Sequence, residues 1–158
     1  ASSDIFGTMV EYYVNSLADT PDYWIGERIY RANWVNDVYN QTKALRYMDN
    51  PMQDGKSPAC WSSTIGSLDV HYSSGPANHM FWLLAEGGTS RCNGLTVAGI
   101  GRAKASAIWY DAISNRMTAS TKYAGARTAC LNAAAALYPG DSAVSAAVAA
   151  AFSAINVN

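Results

Sequence analysis

From Ser74 to the C-terminus, glycine and proline divide the chain into four stretches that each read as a helix. Ser74–Glu86 has a serine at its start, Pro76 in its first turn and Gly87-Gly88 as its stop. Gly101–Met117 sets Ile108, Trp109, Ala112 and Ile113 on one face. Ala124–Tyr138 is alanine-rich and ends at Pro139-Gly140, after which Asp141 is placed to cap a last helix running to about Ile155. Alanine faces on the last two segments permit close helix packing. The spacing therefore predicts a mainly α fold in a single domain spanning residues 1–158.

The first third reads differently. Residues 2–16 predict one more helix, with Ile5, Met9, Tyr12 and Tyr13 on its apolar face and Ser2 or Ser3 as cap. The opening ASSDIFG is not a signal peptide, and a helix with nothing ahead of it to pack against suggests that upstream chain is missing. Residues 17–67 show little periodicity and hold PDYWIGE, the Trp/Asn-rich RANWVNDVYN and the punctuation NPMQDGKSP. An irregular stretch of this length in a compact chain is usually functional or held by a ligand. A net charge of −1 without a basic stripe argues against nucleic acid as a partner, and no apolar run reaches the roughly 20 residues of a membrane span.

Three cysteines are present. Cys60 and Cys92 lie in polar loops and Cys130 in an alanine-rich run, so the simplest reading is a Cys60–Cys92 disulfide with Cys130 as a small buried apolar residue. Three reduced thiols are the alternative, and no spacing resembles a zinc motif.

Five groupings of residues are candidates for chemistry. In Asp69-Val70-His71 an extended backbone would put both side chains on one side. The carboxylate could then accept from one ring nitrogen and leave the other to donate to an oxyanion. The simpler reading of the tripeptide alone is a structural His–Asp pair. No G-x-S-x-G elbow supports a serine triad at Ser73 or Ser74, and His71 with His79 makes a weak metal pair. The acidic group Glu11, Asp19, Asp22 and Glu27 surrounds a proline turn, where oxygen donors can enclose calcium or merely face solvent. Arg46, between apolar neighbours, can hold a substrate carbonyl or pair with Asp4 or Asp49.

Taken in order, SSDIFGTMVEYY, PDYWIGE, ALRYMDNP, DVHYSSGPANHMFWLLAEGG, VAGIGRAKASAIWY and ALYPGDSAVSAAVAAAFSAINV resemble the thermolysin family of secreted zinc metalloendopeptidases, in its actinobacterial form. The resemblance covers nearly the whole chain and implies the helical C-terminal domain of that fold, with an irregular calcium-binding loop region in its first third. It also implies that the H-E-x-x-H helix and the third zinc ligand belong to an N-terminal domain absent from this sequence. No zinc ligand is then expected here, and zinc is a cofactor bound by that partner domain.

By the same resemblance Asp4 hydrogen-bonds a zinc-binding histidine of the partner domain. His71 stabilises the oxyanion formed on the peptide carbonyl, oriented by Asp69. Arg46 binds the substrate backbone. Leu45, Ile25, Gly26 and Ile29 line an apolar pocket for the residue after the scissile bond, backed by Tyr47 and Met48. Glu11, Asp22, Glu27 and the carbonyl of Trp24 are matched to calcium ligands, and one ion is expected rather than two because a tryptophan stands where a second acidic ligand is needed. The stretch from Tyr30 to Lys43 departs from the family pattern. The implied function is half of an extracellular endopeptidase that cleaves before bulky apolar residues and is inactive alone. A peptide- or domain-binding module without catalysis is the alternative.

Overall fold

The computed structural model describes residues 1–29 and 43–158; the RANWVNDVYN loop lies outside the described residues. Helix α1 runs Ser2–Val14 and stops where Asn15 adopts a left-handed conformation, its N–H returning to the Glu11 carbonyl. Ala1 occupies the cap position and no serine side chain caps the helix. Ile5 is fully buried and Met9 and Tyr12 pack against the core, whereas Tyr13 is 90% exposed. The core face follows Asp4, Ile5, Thr8, Met9 and Tyr12; Tyr13 falls about 100° further round the helix and misses it.

The irregular region that follows is pinned by two short strands. β1 (Trp24–Ile25) pairs antiparallel with β2 (Arg46–Tyr47), with Trp24 opposite Tyr47 and Ile25 opposite Arg46. One 3-10 turn follows at Pro51–Asp54 and another at Ile65–Ser67. A single turn of helix, α2 (Val70–Ser73), leads into α3 (Gly75–Glu86). Ser74 sits at the head of α3 without capping it, because its hydroxyl donates to the His71 carbonyl at 3.0 Å.

α3 buries ten of its twelve residues and is the central helix, touching α1 and two later helices. β3 (Gly88–Thr89) and β4 (Thr96–Val97) form an antiparallel ladder that turns the chain into α4 (Arg102–Asp111). At that crossing a Cβ on Gly99 would stand 2.6 Å from the Gly87 nitrogen, so only glycine lets the two backbones pass. α4 continues as one π turn, Ala112–Arg116, rather than as α-helix to Met117. α5 (Tyr123–Leu137) packs on α6 (Ser142–Ser153), and Ala129 and Ala133 of the one and Ala147 and Ala151 of the other are buried. Asp141 caps α6, accepting from the Val144 N–H at 3.3 Å.

Cys60 and Cys92 are joined, with Cα atoms 4.9 Å apart, and Cys130 is a buried free thiol whose pKa is pushed up to about 12 by burial. His79 is fully buried in α3. Its Nδ1–H donates to the Met48 carbonyl at 3.2 Å, its Nε2 accepts from the Arg91 N–H at 3.0 Å, and its ring stacks on Trp82. Both ring nitrogens are used within the protein, which removes His79 as a metal ligand. No helix among the described residues is long and apolar enough to cross a membrane.

Candidate functional site

Asp69 and His71 pair, but not through an extended backbone. Asp69 is the N-cap of α2. Its Oδ1 accepts the His71 backbone N–H at 2.9 Å and the ring Nδ1–H at 2.6 Å. These two bonds, the backbone bond foremost, hold the Asp69 carboxyl below the usual range. A carboxylate can only accept, so the bond assigns the proton to Nδ1 and turns Nε2 away from Asp69. Both side chains are exposed, His71 by 68%. The pair is thus displayed on the surface by a helix start.

Arg46 makes a bidentate pair with Asp4: Nε–H to Oδ2 at 2.9 Å and Nη2–H to Oδ1 at 2.8 Å. The Asn78 side-chain amide adds a third bond to Asp4 Oδ2 at 2.8 Å. Burial by itself would raise the Asp4 pKa, but the bonds from Arg46 and Asn78 outweigh it and hold the carboxyl low. The arrangement joins α1, β2 and α3 through one carboxylate. Of the two partners open to Arg46 in the sequence, Asp4 is the one it takes. Asn78 carried no motif signal; its only mark in the sequence is a polar residue amid the apolar run of α3.

Gly26, with φ +79°, brings the backbone against Leu45: a Cβ there would lie 2.8 Å from Leu45 Cδ1 and 3.4 Å from Ile29 Cγ1. Gly26, Ile29 and Leu45 therefore form one apolar wall, with Leu45 42% and Ile29 71% exposed. Ile25 supports it from the core side, its carbonyl accepting the Leu45 N–H at 2.8 Å. Tyr47 and Met48 are buried behind it. Beyond Leu45 a cavity of about 470 Å³ lies between β2 and α2, with Leu45, Tyr47 and Tyr72 among its lining.

The acidic residues converge around a different centre. Ligand oxygens of Glu11, Asp19 and Glu27 lie within 4.8 Å of one another. Asp22 instead accepts the Trp24 N–H at 2.7 Å, and Asp19 pairs with Arg28 at 2.8 Å. Glu27 is 93% buried, being 7% exposed, and its Oε2 and Glu11 Oε2 have no hydrogen-bond partner among the described residues. Burial, followed by the charges of Glu27, Asp19 and Asp22, pushes the Glu11 pKa up to about 7. Unsatisfied buried carboxylate oxygens facing like charges are an arrangement that a hard dication relieves, so the set fits calcium. Asp19 was visible in the sequence as part of the acidic group, but its convergence depends on how the loop turns back beneath α1.

No other group of three His, Cys, Asp or Glu side chains with converging ligand atoms occurs among the described residues. No second and third ligand converge with the free Nε2 of His71 and His79 is sealed in the core, so the described residues do not fit a zinc centre.

A family model described as thermolysin metallopeptidase, alpha-helical domain, matches residues 1–157. The chain is 43% identical to a transglutaminase-activating metalloprotease from Streptomyces mobaraensis over 99% of its own length and 21% of that protein. It is 44% identical to bacillolysin from Bacillus cereus over 100% of its length and 26% of that protein. Against thermolysin from Alicyclobacillus acidocaldarius it is 38% identical over 99% of its length and 27% of that protein. The chain belongs to the thermolysin metallopeptidase family, as its α-helical domain. It spans only about a quarter of the length of these relatives.

Proposed function

We propose that residues 1–158 form the C-terminal domain of a secreted zinc endopeptidase, the domain that binds peptide substrate and stabilises the oxyanion. The observation that carries this reading is the Asp69–His71 pair, whose 2.6 Å bond fixes the ring and leaves Nε2 directed outward on an exposed turn. Protonated there, Nε2–H donates to the oxygen of a peptide carbonyl as it gains charge. Arg46 spends two donors on Asp4, and the remaining hydrogens of its guanidinium fork take a substrate carbonyl. Leu45, Gly26, Ile29 and Ile25 receive a bulky apolar side chain on the far side of the scissile bond.

Zinc is held by the remainder of the protease, an N-terminal domain that packs against α1. The exposure of Val10, Tyr13, Val14 and Leu17 along and just beyond this helix supports a covering partner. Asp4 orients one of that domain's zinc-binding histidines. Alone, the chain binds but does not cleave. Calcium is held by Glu11, Asp19 and Glu27, with Asp22 and the Trp24 carbonyl at the margin of the same loop. The ion there ties the irregular region to α1. The partners are therefore peptide substrate and the zinc-binding domain; nucleic acid and membrane have no role.

The test is His71→Ala in the complete protease. Loss of one oxyanion donor lowers kcat by about 10²–10³. The zinc content stays at one equivalent, because His71 is not a ligand. Near-normal kcat would remove His71 from the reaction.

A further inference from the structure

Beside the acidic loop lies a cluster that the function above does not use. Tyr12, in the last turn of α1, receives the Arg102 guanidinium over its ring, 3.7 Å from the centroid. The Tyr12 ring also meets the Tyr23 ring at 5.4 Å. Tyr23 is buried, and its hydroxyl donates to Glu86 Oε1 at 2.7 Å. Arg102 Nε–H donates to the same oxygen at 2.5 Å, closing the ring of four side chains. Burial would raise the Glu86 pKa, but Arg102 and Tyr23 hold it low, so the carboxylate is ionised.

Two of these residues are chain neighbours of the acidic group. Tyr12 follows Glu11, and Tyr23 follows Asp22 in the loop that carries Asp19 and Glu27. Elsewhere between Val14 and β1 the loop's ties among the described residues are short-range: Asp19 N–H to the Ser16 carbonyl, Ala18 N–H to the Ser16 hydroxyl, Trp24 N–H to the Asp22 carboxylate and the Asp19–Arg28 pair. Tyr23 is where the loop is anchored to the helical body, through Glu86 and through the Met48 N–H bond to its carbonyl. Three mutually repelling carboxylates stay converged only if their carriers are held from behind.

We propose that Arg102 is a positioning residue for calcium. By bridging Tyr12 on α1 and Glu86 on α3, it holds Glu11 and the Asp19–Glu27 loop at ligating separation. The inference rests on the calcium reading of Glu11, Asp19 and Glu27. Removing Arg102 opens both the cation–π contact and the Glu86 bond. The calcium dissociation constant then rises roughly tenfold, equivalent to about 1.4 kcal/mol.

The experiment is calorimetric titration of calcium into the complete, chelator-stripped protease and its variants. The binding step that disappears in Glu27→Gln belongs to this site; if no step disappears, the calcium reading fails. With the step identified, Arg102→Gln is expected to weaken it about tenfold and Arg102→Lys, which keeps a cation over Tyr12, by less. The calcium-induced rise in Tm shrinks in parallel, which a merely structural role would leave unchanged. Calcium affinity in Arg102→Gln within twofold of the parent would overturn the positioning role while leaving the calcium site intact. Should Arg102→Gln not fold, Glu86→Gln reads the same coupling, because it keeps an acceptor for Tyr23 and loses the carboxylate that fixes Arg102.

Discussion

His79 makes stability depend on acid in a way that can be worked out in advance. Burial and the nearby Arg91 charge drive its pKa down to about 4, against the donor bond to Met48 that works the other way. In the unfolded chain an imidazole titrates near 6.5. The folded value is the lower one, so the unfolded state takes up the proton first. The full contribution is present above pH 6.5 and is lost as pH falls toward 4. A gap of about 2.5 units corresponds to about 3 kcal/mol across the whole window, of which about 2 kcal/mol is lost between pH 7 and pH 5. Gln at this position offers one donor and one acceptor but no ionisation in this range, so His79→Gln keeps the packing chemistry and removes the pH term. Urea unfolding of both chains, followed by tryptophan fluorescence, gives the free-energy difference at each pH. Groups common to both chains cancel in that difference. It should shrink by about 2 kcal/mol from pH 7 to pH 5. A difference that stays constant over this range would refute the reasoning, because His79 would then titrate alike in the folded and unfolded chains.

Three further outcomes are expected. Gly26→Ala places a methyl 2.8 Å from Leu45 Cδ1 at a positive φ, so stability falls by about 1–2 kcal/mol. KM for peptides with Leu after the scissile bond then rises more than kcat falls, as steady-state kinetics on the complete protease will read. Asp4→Asn leaves the largely buried Arg46 without its carboxylate and costs about 3 kcal/mol in urea unfolding, with kcat/KM falling as the arginine loses its seat. Cys60→Ser opens a link between residues 32 apart in sequence; the loop-entropy relation puts the loss at about 3–4 kcal/mol, and dithiothreitol should lower the parent's urea midpoint to match.

Much of the architecture is local and was legible as such. The stops at Gly87 and Pro139-Gly140, the cap at Asp141 and the alanine faces of α5 and α6 act within a few residues, so sequence spacing reports them directly. Where the reading missed, a competing local bond won. Ser74 bonds back to His71 instead of capping α3, and Asp69 takes the cap of α2, which draws His71 to the same carboxylate by helix-start geometry rather than strand alternation. Tyr13, which helical spacing groups with the core face, lies off it because its angle around α1 carries it to solvent.

The sites divide along the same line. The Asp69–His71 pair spans two residues and forms within one helix start, where the N-cap carboxylate is placed to accept the second N–H and here also takes the ring that this residue carries. Arg46 could choose between Asp4 and Asp49, and only the placement of α1 beside β2 brings Asp4 within bonding distance, 42 positions away in the chain. Likewise Glu11, Asp19 and Glu27 come from a helix and a loop, and Tyr23, Glu86 and Arg102 from three separate elements. Contacts of that range depend on how whole elements pack, and packing is decided by burial summed over the entire core.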